Sequence, residues 1–153
     1  MSIDKVRSFF QKYGLDKRIM EFDVSSATVE QAAQALSCRP EKIAKTLSFN
    51  INGRTILIVT AGDRKIDNAK YKARFGAKAR MLTAGEAEET IGHAVGGICP
   101  FGINPEIDVY LDISLKRFDT VFPACGSSNS AIELSIGELE KYSSFSAWID
   151  VCK

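Results

Sequence analysis

The sequence predicts an α+β fold, in which a mixed or antiparallel sheet curls toward a barrel and is surrounded by helices. Two observations lead to this fold class. A β-hairpin pattern at residues 45–61 lies between helical patterns, and several short strand patterns with short connections follow it. The 153 residues, 45% of them hydrophobic and 25% charged, are enough for one well-buried core. The chain is therefore expected to form a single domain, 1–153.

Helices and one short strand are predicted before the hairpin. Residues 2–13 place apolar side chains at helical spacing, and Gly14 after them is a typical helix stop. A short strand is expected at residues 19–22. Serine and threonine residues that can cap a helix precede an alanine-rich helix at Val29–Leu36, and a helical turn is expected after Pro40.

The hairpin is the clearest local signal, because Asn52-Gly53 fits the tight type I′ turn between two β-rich runs. Alternation places three apolar side chains on one face of its first strand, Leu47, Phe49 and Ile51. Lys45 falls on this same apolar face. Its ammonium either reaches past the strand end to water or lies at the mouth of a pocket, aimed at a ligand. The pattern favours the first arrangement.

The second half of the chain alternates helix and strand patterns. A basic helix is expected at residues 67–75, and an acidic helix opened by Thr83 is expected at 83–92. Short strands are expected at 78–82, 109–113, 120–124 and 131–136, and a closing helix at 137–143. Neither the dinucleotide-binding nor the P-loop glycine signature occurs in the sequence, so those two folds are excluded.

Composition argues against a membrane protein and against a metal or disulfide framework. No run approaches the roughly 20 apolar residues that a membrane span needs, so a cytoplasmic protein without a membrane partner is expected. The four cysteines form no CxxC pair, and His93 is the only histidine. One histidine with one nearby cysteine falls short of the four ligands of a structural zinc site. No metal and no cofactor are therefore expected.

Charge is distributed unevenly along the chain. Residues 39–80 contain eleven Lys or Arg against three Asp or Glu, a balance of +8, whereas the rest of the chain has a balance of −7. A basic segment of this kind is typical of a protein that binds a polyanion. Solvated helix faces that are balanced in space by acids elsewhere would give the same pattern. Charge alone leaves both interpretations open.

Two glycine-bearing loops are candidates for the functional site, GGICPFG at residues 96–102 and ACGSSN at 124–129. Glycines allow a substrate carbonyl or phosphate to reach backbone N–H groups, although ordinary turns would also use them. A nucleophilic Cys99 would need a base, and His93 is the only imidazole available. A buried, unreactive cysteine is the commoner case.

Four stretches in order resemble the YbaK/ProX family, the freestanding relatives of the editing domain inserted in bacterial prolyl-tRNA synthetases. They are Lys45-Thr46, TIGHAVGGICPFG, VYLDISL and GSSNSAIEL. The resemblance runs from about residue 24 to about residue 139. It implies an aminoacyl-tRNA deacylase that acts in translation fidelity on the acceptor end of a tRNA, without DNA binding and with prolyl-tRNA synthetase as a possible partner.

The resemblance also assigns roles to residues. Lys45 matches the lysine that holds the acceptor end, and Gly96 with Pro100 matches a GxxxP loop whose backbone positions the ester carbonyl, so Lys45, Gly96 and Gly97 are expected to be catalytic. The members of this family orient a water molecule and use no protein nucleophile or metal. Seven further residues of the two loops, with Thr46, are expected to bind substrate, namely Thr46, Ile98, Cys99, Pro100, Phe101, Gly126, Ser127 and Asn129.

The edited amino acid is only loosely indicated. Ala124 and Ala131 stand where the cysteinyl-specific members carry a serine and an aspartate, which argues against cysteine. A small side chain such as alanine, carried by the proline tRNA, is the expected substrate. Two alternatives stay open: a non-catalytic module that binds tRNA or a synthetase, and a small ester or thioester hydrolase with Cys99 as its nucleophile.

Overall fold

The computed structural model describes residues 2–153 and, within them, five α-helices and eight β-strands. The helices are α1 (Ser2–Gln11), α2 (Val29–Leu36), α3 (Asn68–Phe75), α4 (Ala84–Ile91) and α5 (Ile136–Ser143). The strands are β1 (Met20–Glu21), β2 (Ile43–Ile51), β3 (Arg54–Ala61), β4 (Asp108–Asp112), β5 (Thr120–Pro123), β6 (Ser130–Ala131), β7 (Leu134–Ser135) and β8 (Ala147–Ile149).

Six of the strands form one curled mixed sheet in the order β7-β5-β2-β3-β4-β8. The hairpin pair β2 and β3 is antiparallel, as is β5 with β7, whereas β2 with β5, β3 with β4 and β4 with β8 are parallel. Strands β1 and β6 form a separate two-stranded ladder. A bridge between Ala124 and Ala131 links the end of β5 to β6, so the curled sheet continues toward this ladder. The predicted α+β class with a curled sheet is confirmed.

The hairpin turn has the predicted conformation. Asn52 and Gly53 both have positive φ angles, 50° and 87°, as a type I′ turn requires. The register pairs Ile51 with Arg54 directly across the turn. This turn fixes which side chains of β2 face which side of the sheet.

Three helices begin with the reciprocal capping contacts that their sequences indicate. In α2 the Gln31 N–H donates to Thr28 Oγ1 at 3.1 Å, and in α4 the Glu86 N–H donates to Thr83 Oγ1 at 3.2 Å. Helix α5 begins in the same way at Ser135. Each such cap stabilises its helix by about 1 kcal/mol. The predicted helix at Val29–Leu36 and the start at Thr83 are confirmed.

Some strand predictions were wrong in extent. The strand expected at 131–136 is two short strands that belong to different ladders, β6 with β1 and β7 with β5. The strand expected at 78–82 is reduced to one bridge, between Phe49 and Met81. Strand β8 was not predicted, because three residues are too few to show an alternating pattern.

Strand β3 is buried on both faces, which divides the apolar interior into two cores. Leu57 and Val59 face a first core that also contains the loop residue Phe101 and apolar residues of α1, α4 and α5, among them Phe10. Ile56 and Ile58 face a second core beneath α3, with Phe49, Tyr71, Ile149 and Val151. Coverage of both faces explains the continuous apolar run of β3. Across residues 2–153, no helix combines the length and the apolar character that crossing a membrane requires.

Candidate active site

A cavity of about 410 Å³ lies beside the amino-terminal half of β2. Its walls are contributed by six consecutive β2 residues, the start of α2, the loop before Cys99 and the ends of β5 and β6. Most of the lining side chains are apolar, among them Val29, Leu47, Met81, Ile98 and Phe122. A small organic group can therefore be removed from water here while polar groups at the rim orient it.

Lys45 lines this cavity and is half-buried. Its Nζ donates to the carbonyl oxygen of Arg64. Burial lowers the pKa of the Lys45 ammonium, and the carboxylates of Asp63 and Glu30 partly oppose that effect. Of the two arrangements open to this lysine, the structure has it at the cavity, with its charge directed at a backbone carbonyl.

The segment that holds Lys45 is itself anchored. Arg117 donates two hydrogen bonds to the Asp63 carboxylate, at 2.6 and 3.1 Å. The Ala61 N–H donates to Ser114 Oγ at 3.1 Å. These bonds fix the turn that carries the Arg64 carbonyl and thus the position of the lysine head group.

Gly96 lines the cavity from the opposite loop. Its φ is +91°, and a Cβ at this position would lie 2.7 Å from the Ala27 Cβ. Both facts require glycine. Within the described part of the chain, the N–H groups of Gly96 and Ile98 donate to no acceptor. These two lining residues can therefore offer donors to a carbonyl oxygen in the cavity.

Gly97 and Gly126 lie behind the cavity wall. The Gly126 N–H donates to the Gly97 carbonyl at 3.0 Å. A Cβ at Gly97 would lie 2.5 Å from the Ser127 nitrogen. Gly97 was predicted to act in catalysis and Gly126 to bind substrate, but both are buried and neither lines the cavity. Their role in this structure is the close packing of the two loops.

Cys99, Pro100 and Phe101 are buried in or beside the first core and do not line the cavity. The Phe101 ring packs against Phe10 with ring centroids 4.8 Å apart. The Cys99 Sγ lies 3.6 Å from the His93 Nε2. Burial raises the pKa of the Cys99 thiol to about 12 and lowers the pKa of His93. Both groups are therefore held neutral, the opposite of an activated thiolate and imidazolium pair.

The remaining predicted residues divide between the lining and its support. Thr46 lines the cavity, and its buried Oγ1 has no hydrogen-bond partner among the residues described. Ser127 Oγ donates to Ser130 Oγ at 2.6 Å, and Asn129 Nδ2 donates to the Phe22 carbonyl at 3.0 Å. Ser127 and Asn129 thus support the wall, whereas Ser130 lines it.

Several lining residues were missed by sequence reasoning. They are contributed by the start of α2, the segment before α4 and the end of β5, namely Ser26, Ala27, Thr28, Val29, Ala32, Met81, Leu82 and Phe122. The start of α2 reaches the cavity because the Ser26 N–H donates to the Ser128 carbonyl at 2.6 Å. The serine and threonine residues before α2 indicated the helix, but nothing local in the sequence shows which loop they contact.

The basic segment at 39–80 is partly neutralised. Five of its eleven basic residues form ion pairs with acids, Arg39, Arg54, Arg64, Lys70 and Arg80. Lys65, Lys72 and Lys78 are exposed, and no ion pair with another described residue involves them. Acids elsewhere in the fold therefore balance part of this segment, and polyanion binding by its exposed lysines stays a prediction. In the same residues, 2–153, no group of three or more His, Cys, Asp or Glu side chains could hold a metal ion.

The curled sheet and its half-buried lysine facing a glycine loop define a small α+β domain of the YbaK type. A family model, the aminoacyl-tRNA editing domain, matches residues 23–142, and the chain belongs to that family. The predicted resemblance is confirmed.

Relatives of known sequence or structure agree with this membership. The uncharacterized protein YwhH of Bacillus subtilis (strain 168) is 54% identical over 154 residues, covering all of this chain and 98% of that protein. Proline–tRNA ligase of Halalkalibacterium halodurans is 34% identical over 104 residues, which cover 67% of this chain and 18% of the ligase. A crystal structure of a candidate trans-editing enzyme for prolyl tRNA synthetase superposes with a TM-score of 0.88 at 26% identity, covering 99% of this chain and 97% of that one.

Proposed function

We propose that this protein, acting as one domain over 1–153, hydrolyses the ester that joins a non-cognate amino acid to the 3′ end of a tRNA. One observation carries the proposal: a single cavity holds a lysine ammonium, a glycine loop with open N–H groups and apolar walls. The edited tRNA is proposed to be the proline tRNA. The family membership and the similarity to proline–tRNA ligases support this choice.

Lys45 binds the phosphate backbone at the acceptor end. A half-buried ammonium whose present partner is one carbonyl, that of Arg64, gains a stronger, charge-assisted contact when a phosphate enters. Contacts to phosphate position a nucleic acid without reading its sequence. Lys45 thus sets how far the terminal ribose enters the cavity.

The N–H groups of Gly96 and Ile98 stabilise the charge that develops on the ester carbonyl oxygen. A water molecule adds to the carbonyl carbon, the bond to the ribose oxygen breaks, and a proton passes to that oxygen as the free amino acid forms. An aminoacyl ester is already activated, so positioning and oxyanion stabilisation supply much of the rate. The reaction as proposed uses no protein nucleophile and no metal.

The apolar walls receive the amino-acid side chain. Ala124 and Ala131 line the cavity, so no carboxylate or hydroxyl is offered at these two positions. An apolar pocket separates side chains by size only modestly, about 10- to 200-fold per methylene. Alanine or a near relative is the proposed substrate. Association with prolyl-tRNA synthetase, in the cytoplasm where tRNAs are charged, completes the proposal.

The test is a deacylation assay on proline tRNA charged separately with alanine, 2-aminobutyrate, cysteine, serine and proline. Hydrolysis of one mischarged species, with prolyl-tRNA spared, is expected for the wild type. Lys45→Ala is expected to lose at least about 100-fold in rate, as loss of a charged contact at a reacting group does.

Lys72→Ala is the matched control, because Lys72 is an exposed lysine of the same basic segment that does not line the cavity. It is expected to retain the wild-type rate. No hydrolysis of any species, together with salt-sensitive binding of uncharged tRNA, would overturn the proposal in favour of a non-catalytic binding module.

A further inference from the structure

The cavity borders the backbone of β2 as well as its side chains. Six consecutive residues, Ile43 to Ser48, line it. Successive side chains of a strand point to opposite faces of the sheet, so one cavity that meets all six lies along the edge of the strand. That edge is the one facing away from β3, because β3 pairs with β2 along the other side.

This edge of β2 is closed at both ends of the cavity. At the amino-terminal end, Ile43 and Ala44 are covered by their parallel pairing with β5, and this pairing stops at Ala44. At the other end, the Leu82 N–H donates to the Ser48 carbonyl at 3.1 Å. The open interval of the edge is therefore limited to the residues between Ala44 and Ser48.

Thr46 is the residue of this interval whose backbone faces outward. Residues of an antiparallel pair alternate between bonding to the partner strand and bonding away from it. Ser48 and Asn50 bond away from β3, to Leu82 and Arg80 respectively, so Thr46 faces the same way. In the described part of the chain, no group bonds to the Thr46 N–H or C=O, and its buried Oγ1 is unpaired too.

We propose that Thr46 binds the amino-acid part of the ester as a one-residue extension of the sheet. This inference rests on the proposed function. An aminoacyl ester carries an N–H donor and a carbonyl acceptor on either side of one carbon, as a single strand residue does. The Thr46 carbonyl accepts from the ammonium of the ester, and the Thr46 N–H donates to its carbonyl oxygen, in addition to the donors of the Gly96 loop.

This contact defines the substrate class by the main chain of the amino acid. The apolar walls contact the side chain of the amino acid, and binding requires a free α-amino group on the substrate. Because the edge is closed beyond Ala44 and at Ser48, it accommodates one residue and no continuing peptide. Esters with an acylated amine, such as peptidyl-tRNA, are therefore excluded.

The first test compares tRNA esters that share the alanine methyl group but differ at the α position. Alanyl-, lactyl-, propionyl- and N-acetylalanyl-tRNA are hydrolysed with wild-type protein, and each rate is divided by the uncatalysed rate of that ester. The propionyl ester is expected to fall about 10- to 100-fold below the alanyl ester, because it leaves the Thr46 carbonyl buried and unpaired. The lactyl ester, whose hydroxyl can donate, is expected to have a relative rate between these two. The N-acetylalanyl ester is expected to show no acceleration.

The second test locates the contact without turnover. The amide-linked analogue 3′-alanylamino-3′-deoxyadenosine is titrated into isotope-labelled protein, and the amide nitrogen and carbonyl carbon of Thr46 are followed by NMR. Both signals are expected to shift, while those of Thr55 on β3, which lines no part of the cavity, stay in place. Thr46→Val keeps the backbone and replaces the hydroxyl by a methyl group, so the relative rates of the four esters are expected to keep their order.

The outcomes separate this inference from the proposed function. Equal acceleration of the alanyl and propionyl esters, or analogue binding that leaves the Thr46 signals unmoved, overturns the Thr46 contact while editing stands. Hydrolysis of no aminoacyl ester at all overturns the proposed function and this inference together.

Discussion

The Gly126 N–H donates to the Gly97 carbonyl at 3.0 Å, and this bond joins the two glycine loops behind the cavity. The loops approach so closely that a Cβ at Gly97 would lie 2.5 Å from the Ser127 nitrogen and 2.6 Å from the Gly126 carbonyl carbon. The two neighbouring glycines of the GGICPFG motif thus have different structural roles. Gly97 lets the two loops pack together, whereas Gly96 faces the cavity.

Gly97→Ala is expected to lower the free energy of unfolding by about 1–3 kcal/mol, because only backbone atoms stand where the methyl group would go. Urea unfolding measures the change. Gly85→Ala is the matched control, since Gly85 lies in α4 with no atom within 4 Å of its would-be Cβ. It is expected to stabilise by about 0.4–1 kcal/mol. Equal effects of the two substitutions would contradict the packing role of Gly97.

Cys99→Ala is expected to keep deacylation within about threefold of the wild type while costing about 1 kcal/mol of stability through lost packing. The thiol is buried, and its pKa of about 12 keeps it protonated at neutral pH. Single-turnover deacylation and urea unfolding report the two effects separately. Complete loss of turnover in a folded variant would restore the thiol mechanism.

Asp63→Asn is expected to lower stability by about 0.5–1 kcal/mol at neutral pH, because it breaks the paired hydrogen bonds from Arg117. Those bonds hold the pKa of Asp63 below its ordinary value. The contribution is complete above the unfolded pKa of about 3.9 and disappears as pH falls through the lower folded value. Unfolding curves of both proteins should therefore converge toward about pH 2. A difference that persists there would rule out ionisation of Asp63 as its cause.

Lys78 and Arg80 are expected to contact tRNA phosphates, since both are exposed and directly precede the cavity residue Met81. Replacing both by alanine should reduce the slope of log Kd against log salt concentration by about 1–2 for uncharged proline tRNA. Fluorescence anisotropy in a salt series measures this slope. Alanine at Lys12 and Lys17, which lie away from the cavity lining, should leave it unchanged. Equal slopes for both double variants would place the tRNA on another surface.

Local signals in the sequence predicted most of the fold. The turn at Asn52-Gly53 and the caps at Thr28 and Thr83 are decided by neighbouring residues, so a pattern within a few positions is sufficient. Strands β6, β7 and β8 are decided by partners far along the chain. Two or three residues are too few to show an alternating pattern, so the pairing of these strands could not be predicted from the sequence.

The predicted site residues divide between the cavity lining and the interior. Lys45, Thr46, Gly96 and Ile98 line the cavity. Cys99 shares the motif with Gly96 but turns into the core, because the chain changes direction at the glycines. Residues from α2 and β5 reach the same cavity only through the curl of the sheet, which no local pattern encodes.

Strand β8 has a consequence for how the chain is made. It pairs with β4, and the residues after it continue into the second core. There Val151 is buried, and the backbone of Cys152 forms an isolated antiparallel β-bridge with Ile66. When the nascent chain has emerged as far as the end of α5, the β4 edge is still unpaired and part of the second core beneath α3 is still uncovered. Because synthesis runs from the amino terminus, the sheet is completed only once residues 147–152 have cleared the ribosome. Until then the β4 edge and this surface are open to chaperones, and to the same edge of another nascent copy.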